Sequence, residues 1–165
     1  MRFKIVSLIA VAGVVAACGT APTSETASTT GGGASGGAAS AAPSIMPGSA
    51  EDLRVNIGDR VFFGFDRYNL TAEARYTLQQ QAAWLIANSS SKITIEGHCD
   101  ERGTREYNLA LGERRASAVS DYLMTLGVPA TRLSTLSYGK ERPEDAASTE
   151  TAWAKNRRSV TTVKY

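Results

Sequence analysis

The chain has 165 residues, room for one domain of ordinary size and hardly for two. Its 18 Lys and Arg face 16 Asp and Glu, but Arg2 and Lys4 are the only charges before Cys18, so the rest is neutral and offers no basic excess for nucleic acid or polyphosphate. At 42% hydrophobic residues a core is affordable, whereas two cysteines exclude a disulfide-rich scaffold and a four-cysteine zinc site.

Residues 1–17 read as an export signal: Arg2 and Lys4, an apolar stretch from Ile5 to Val15, then Ala16 and Ala17. That stretch is too short for a spanning helix, which needs roughly 18–20 apolar residues. Val15-Ala16-Ala17-Cys18 resembles the bacterial lipobox, which implies that Cys18 becomes the lipid-modified first residue of the mature chain. Each buried methylene adds about 0.8 kcal/mol, so two or three acyl chains anchor stably where one does not. Gly19 follows, in place of the Asp that retains many such proteins on the inner membrane. The resemblance therefore points to the outer membrane.

Residues 18–50 read as the lipidated cysteine and a tether. Of the 32 residues from Gly19 to Ala50, 26 are Ala, Gly, Ser or Thr, too little apolar surface to offset the entropy of folding. A flexible coil of that length averages about 30 Å end to end. The folded domain is expected over 51–165.

Within it, Val61-Phe62-Phe63-Gly64-Phe65 is a short β-like run closed by Asp66. A helix is predicted from Thr71 to Ala87, with Ala74, Leu78, Ala82 and Leu85 on one face. Lys92 to Glu96 alternates as a strand, ending at Gly97. A longer helix is predicted from Arg105 to Leu126, stopped by Gly127 and Pro129. Leu133 to Ser137 is a third strand, Thr151–Asn156 a short helix, and Ser159–Tyr165 a final strand. Strands alternating with helices predict an α/β sandwich: one sheet of about four strands, with two main helices and a short third packed on it.

On the second helix Leu111, Ala118, Tyr122 and Leu126 share an apolar stripe with Arg115 in its midst. Arg115 has two readings. Either it snorkels from the edge of the stripe into water, or it waits for an anion.

The loop Glu96-Gly97-His98-Cys99-Asp100-Glu101-Arg102-Gly103-Thr104-Arg105 joins a strand to that helix. His98-Cys99 followed after five residues by Arg105 matches the signature of cysteine phosphatases. The flanking Asp100 and Glu101 oppose that chemistry, because they would sit where phosphate oxygens must lie and would raise the thiol pKa. His98, Cys99 and Asp100 are also too close in sequence to converge on one metal ion. Cys99 is expected to be an inert, partly buried thiol.

A wider pattern covers about 100 residues. Gly97-His98-Cys99-Asp100-Glu101-Arg102-Gly103-Thr104, Tyr107-Asn108 and Leu111-Gly112-Glu113-Arg114-Arg115-Ala116 closely resemble the OmpA-like peptidoglycan-binding domain family. The match continues through Ser137-Tyr138-Gly139 to Ala154-Lys155-Asn156-Arg157-Arg158, and Phe63-Gly64-Phe65-Asp66 fits the opening strand. Cys99 departs from it, standing where many members carry Thr or Ala. The resemblance implies the OmpA-like sandwich fold with a mixed sheet, no enzymatic activity and no cofactor. It implies that Asp100 and Arg115 grip the diaminopimelate of the cell-wall stem peptide, in a pocket also lined by Phe65, Asp66, Asn108 and Leu111. The chemistry agrees: a free diaminopimelate end is a zwitterion, matched by a carboxylate for its ammonium and a two-pronged guanidinium for its carboxylate. Since both side chains would face a ligand, their removal is expected to leave the fold intact. Arg114 and Arg157 are assigned to structural salt bridges. As partners the resemblance implies peptidoglycan and the Tol proteins, TolB above all, with the outer membrane reached through the lipid on Cys18. A flagellar stator subunit of the same family would instead need an N-terminal spanning helix.

Overall fold

A computed structural model describes residues 45–164. Cys18, the export signal and most of the tether lie outside the described residues. The first helical turn is α1 (Ala50–Asp52), capped by the Ser49 hydroxyl accepting from the Asp52 N–H at 3.1 Å, and it runs into a π-helical turn over Leu53–Ile57. Asp52 ties this segment to the body by accepting from Trp84 Nε1 at 2.8 Å.

Four strands make one open sheet: β1 (Arg60–Phe62), β2 (Lys92–His98), β3 (Leu133–Gly139) and β4 (Arg158–Lys164), in the order β1-β4-β2-β3. β4 runs antiparallel to both β1 and β2, and β2 runs parallel to β3, so the sheet is mixed as expected. A parallel pair needs a long crossover, which α3 (Arg105–Thr125) supplies. α2 (Ala72–Ala87) links β1 to β2, and the short α4 (Glu150–Asn156) precedes β4.

α2, α3 and α4 each begin on a threonine: the hydroxyls of Thr71, Thr104 and Thr149 accept the N–H of Ala74, Tyr107 and Ala152. At the other end of α2, Arg132 donates to the carbonyls of Leu85, Asn88 and Ser91, each at 2.8 Å, and so satisfies the turn that leads into β2. The core lies between the helices and one face of the sheet, with Leu53, Leu78, Leu85, Ile93, Ile95, Val119 and Leu123 almost wholly removed from water. The face expected on α2 is the buried one.

Three expectations are corrected. β1 stops at Phe62, because the chain turns at Gly64 and Asp66 takes φ +54°, which a strand does not permit. β2 and β3 run two residues further than expected, to His98 and Gly139. On α3 the buried row is Asn108, Leu111, Gly112, Arg115, Ala116, Val119, Ser120 and Leu123, while Ala118, Tyr122 and Leu126 flank it half-buried. The expected stripe followed the apolar residues; the actual one admits Asn108, Gly112 and Ser120, which pack closely or hydrogen bond.

The closest approach of helix to sheet places the site. A Cβ built at Gly97 would fall on the Gly112 carbonyl oxygen, and one at Gly112 would lie 3.0 Å from the Gly97 carbonyl. Only glycine at both positions lets α3 lie against β2 here. That contact brings the 98–104 loop, where β2 ends, against the first turns of α3.

Candidate ligand-binding site

Asp100, Arg115, Phe65, Asp66, Asn108 and Leu111, the six residues expected at the site, all line one cavity of about 180 Å³, together with Cys99, Arg102, Gly103 and Tyr107. Three stretches of chain build it: the turn after β1, the loop after β2 and the first turns of α3. A larger and more open groove of about 630 Å³ beside β1, α2 and α4 is lined by Val61, Phe63 and Ala74 with Arg60, Glu73 and Lys155, and contains none of the six expected residues.

The loop is braced from beneath. Asn108 is 2% exposed and spends both amide protons inward, donating to the carbonyls of Arg102 at 2.7 Å and Thr104 at 3.1 Å. Gly103 takes φ +91°, a backbone state that a side chain would strain. Lys140 reaches across from the turn after β3 and donates to the Gly103 carbonyl at 2.7 Å. Asn108 thus shapes the cavity wall rather than offering its amide to a ligand.

Asp100 is 5% exposed and closely partnered. Its Oδ1 accepts from the N–H and Nε of Arg102, and its Oδ2 from Arg102 Nη2 at 2.6 Å and Arg157 Nη1 at 3.4 Å. Burial pushes this carboxyl up, but the hydrogen bonds and charge of Arg102, with Arg157, outweigh it and hold the group below the usual carboxylate range. The Arg102 guanidinium is clamped between the rings of Phe65 at 4.2 Å and Trp153 at 4.1 Å, and lies 3.8 Å from Glu150. A cation therefore already stands beside Asp100, on a side chain that is about one-third exposed.

Arg115 is corrected most. It is 1% exposed, so it does not snorkel into water. Nε donates to the Arg67 carbonyl at 2.8 Å, Nη1 to the His98 carbonyl at 2.7 Å and to Cys99 Sγ at 3.4 Å, and Nη2 to the Gly64 carbonyl at 3.2 Å. Four of its five N–H groups are thereby engaged, which leaves one prong toward the cavity where two were expected. The same bonds pin the turn after β1 to the end of β2. An Arg115→Ala change would take a donor from the buried His98 carbonyl and from the carbonyls of Arg67 and Gly64, so its removal is expected to weaken the fold as well as the grip.

The turn holding Phe65 and Asp66 is fixed from the other side as well. Asp66 accepts a hydrogen bond from the Tyr107 hydroxyl, which also holds that phenol above its ordinary pKa. Arg157 fulfils the expected structural role: it bridges Asp100 and Glu150 and donates to the Phe63 carbonyl at 3.2 Å. Arg114 does not. It lies over the rings of Tyr68 at 5.9 Å and Tyr107 at 6.0 Å, at the rim of the site.

Cys99 is 2% exposed, and its thiol donates to the Asn108 carbonyl at 3.3 Å. Burial pushes its pKa up to about 11, with Arg115 opposing and Asp100 adding a smaller push. The acidic flank is thus the lesser cause, and desolvation the greater. Arg105, the phosphatase signature's second element, is paired instead with Glu141 at 3.3 Å on the surface. Both findings run against a thiolate nucleophile.

Arg102, Tyr107 and Trp153 are site residues that the sequence did not single out. Arg102 had a local signal, since a residue two after an Asp commonly folds its N–H back onto that carboxylate. Trp153 comes from the opposite end of the domain, and nothing near it in sequence marks it.

A model of the OmpA family matches residues 62–157. The peptidoglycan-associated lipoprotein of Agrobacterium fabrum is 54% identical over 120 residues, which are 73% of this chain and 68% of that protein. The one of Mesorhizobium japonicum is 46% identical over 163 residues, 99% of this chain and 90% of that protein. The crystal structure of the peptidoglycan-associated lipoprotein from Burkholderia pseudomallei superposes with a TM-score of 0.63 at 42% identity, covering 64% of this chain and 90% of that one. The C-terminal domain of Helicobacter pylori MotB, with a TM-score of 0.60 at 21% identity over 65% of this chain and 84% of that one, shares the fold alone. With the family model matched along most of the folded part and these relatives near half identical, the chain belongs to the OmpA family, among its peptidoglycan-associated lipoproteins.

Proposed function

We propose that this chain is an outer-membrane lipoprotein, anchored by lipid on Cys18, whose periplasmic domain binds peptidoglycan non-covalently through the diaminopimelate of the stem peptide. One observation carries the reading: Asp100 and Arg115 converge on a cavity of about 180 Å³, room for the end of one amino acid and not for a whole stem peptide. The ligand's ammonium takes the place beside Asp100 that Arg102 now fills, while its carboxylate meets the remaining Arg115 prong and the N–H groups at the start of α3. The work is mechanical rather than catalytic, with lipid at one end, wall at the other and the tether setting the reach. Tol proteins, TolB in particular, are the proposed protein partners, in a role serving envelope integrity and constriction at cell division. The relatives' own name, peptidoglycan-associated lipoprotein, supports the wall ligand.

Co-sedimentation of the full chain, in detergent, with purified sacculi tests this. Binding is expected to sacculi with diaminopimelate at the third stem position, and only weakly to sacculi with lysine there, which lack the side-chain carboxylate. Asp100→Asn keeps the size of the side chain but loses its charge and, since an amide NH2 cannot accept, two of its four hydrogen bonds, and is expected to weaken binding roughly ten- to a hundredfold, about 1.5–3 kcal/mol. Equal retention on both walls, unchanged by Asp100→Asn, would place the site elsewhere.

A further inference from the structure

The cavity does not end at Phe65 and Asp66. Those two residues also line a second depression of about 420 Å³ with Arg67, Tyr68 and Asn69. Tyr68 and Asn69 in turn line a third, of about 470 Å³, with Leu70, Arg75, Ala118, Asp121, Tyr122 and Thr125. Three depressions thus run in series along one side of the domain, each sharing residues with the next. Exposed aromatic rings mark the route: Phe65 is 60% and Tyr68 46% exposed, with the half-buried Tyr122 at the far end.

Rings left in water along a groove keep a face free for a ligand. Phe65 and Tyr68 lie outside the core and Tyr122 packs against its edge, while Arg102, Arg114 and Arg75 lie over the three rings at 4.2, 5.9 and 5.6 Å. Between the rings stand short polar groups, Asp66, Asn69 and Asp121, with arginines interleaved, so that neither sign of charge dominates. Aromatic faces alternating with short hydrogen-bonding groups, in an open and charge-balanced groove, suit a neutral polymer with C–H-rich faces and many hydroxyls. A pyranose chain has that character.

We propose that this track, with Tyr68 at its centre, is a saccharide subsite that holds the glycan strand from which the bound stem peptide branches. The proposal rests on the stem-peptide reading of the cavity. It adds that the sugar, and not the peptide alone, is recognised. The spacing permits both at once. Tyr107, at the cavity, and Tyr68 both lie near Arg114, which bounds the separation of their rings at about 12 Å, and the few units between the third stem residue and the sugar span about that distance at roughly 3.3–3.6 Å each.

The test is isothermal titration of the full chain, in detergent, with two defined ligands: the free tripeptide ending in diaminopimelate, and the same tripeptide on its N-acetylglucosaminyl-N-acetylmuramyl disaccharide. Wild type is expected to bind the disaccharide form roughly five- to tenfold more tightly. Tyr68→Ala should abolish that gain and leave tripeptide affinity unchanged, while Tyr68→Phe, which keeps the ring, should retain it. The exposure of Tyr68 makes both variants compatible with the fold, and thermal melts verify it. Equal wild-type affinity for the two ligands overturns the saccharide subsite alone, and leaves the ledge to a protein partner. A gain that survives Tyr68→Ala, or a loss shared equally by both ligands, overturns it too. Failure of wild type to bind either ligand overturns the stem-peptide reading and the subsite with it.

Discussion

His98 shows how a single residue of the signature loop serves the fold rather than the ligand. Its carbonyl accepts from Arg115, but its ring turns to the other face of the sheet, 5.4 Å from Tyr138, and is 2% exposed. Burial, together with the nearby charge of Arg158 and Arg142, pulls its pKa down to about 4 from an ordinary 6.5, against smaller opposing pulls from the Arg142 backbone and Glu144. The folded protein therefore keeps this imidazole neutral where the unfolded chain would take a proton. Stability from this group is complete above pH 6.5 and is lost as the pH falls from there to about 4, by an amount on the order of 3 kcal/mol. Urea midpoints at pH 7, 5.5 and 4.5 check this, with wild type declining and His98→Gln, which has no proton to gain, staying flatter over that interval. Parallel declines in the two proteins would assign the acid sensitivity to other groups.

At the scale of elements, the decisive contact is α3 against β2. Hydrophobic patterning brings a helix to a sheet at an ordinary separation, but Gly97 facing Gly112 brings them closer than any side chain permits. The loop and the helix start then share one cavity, and Asn108 can reach back to the loop carbonyls. Alanine at either glycine should destabilise the domain by about 1–3 kcal/mol, and Gly97→Ala should be the worse. At Gly97 the new methyl meets a backbone carbonyl that cannot move, whereas at Gly112 it first meets the Ser137 side chain. Urea denaturation of the two variants ranks them; a neutral Gly97→Ala would show that the helix slides without cost.

At the scale of the whole molecule, the proposed function depends on two ends, lipid and wall site, joined by the proposed tether. The lipid end is legible only in the sequence, as Val15-Ala16-Ala17-Cys18 after an apolar leader. Cys18→Ser is expected to lose acyl labelling and to leave the membrane fraction, because the acyl chains on Cys18 are the proposed anchor. The assay uses wall-free vesicles, so that peptidoglycan binding cannot hold the variant in the pellet. Membrane recovery equal to wild type would show that the anchor lies elsewhere. The same variant should still sediment with sacculi, since the proposed wall site is built entirely from residues beyond Phe62.

The sequence by itself determined the chain order of the main strands and helices and the sandwich class, and its family resemblance named six of the ten residues that line the cavity. The elements follow from local periodicity, and the six from motifs shared with the family. Even the missed strand ends, at Phe62, His98 and Gly139, were off by three residues or fewer. Only the tertiary structure decided what each site residue does. Asn108 and Arg115 read as ligand contacts, yet nearly all their donors go to backbone carbonyls brought from Gly64, Arg67, His98 and Arg102. Trp153 joins the site from a helix some fifty positions further on, to clamp Arg102. The physical reason is that a hydrogen bond is set by distance and direction in space. Sequence fixes which donors a chain possesses, whereas folding fixes which acceptors are near enough to use them.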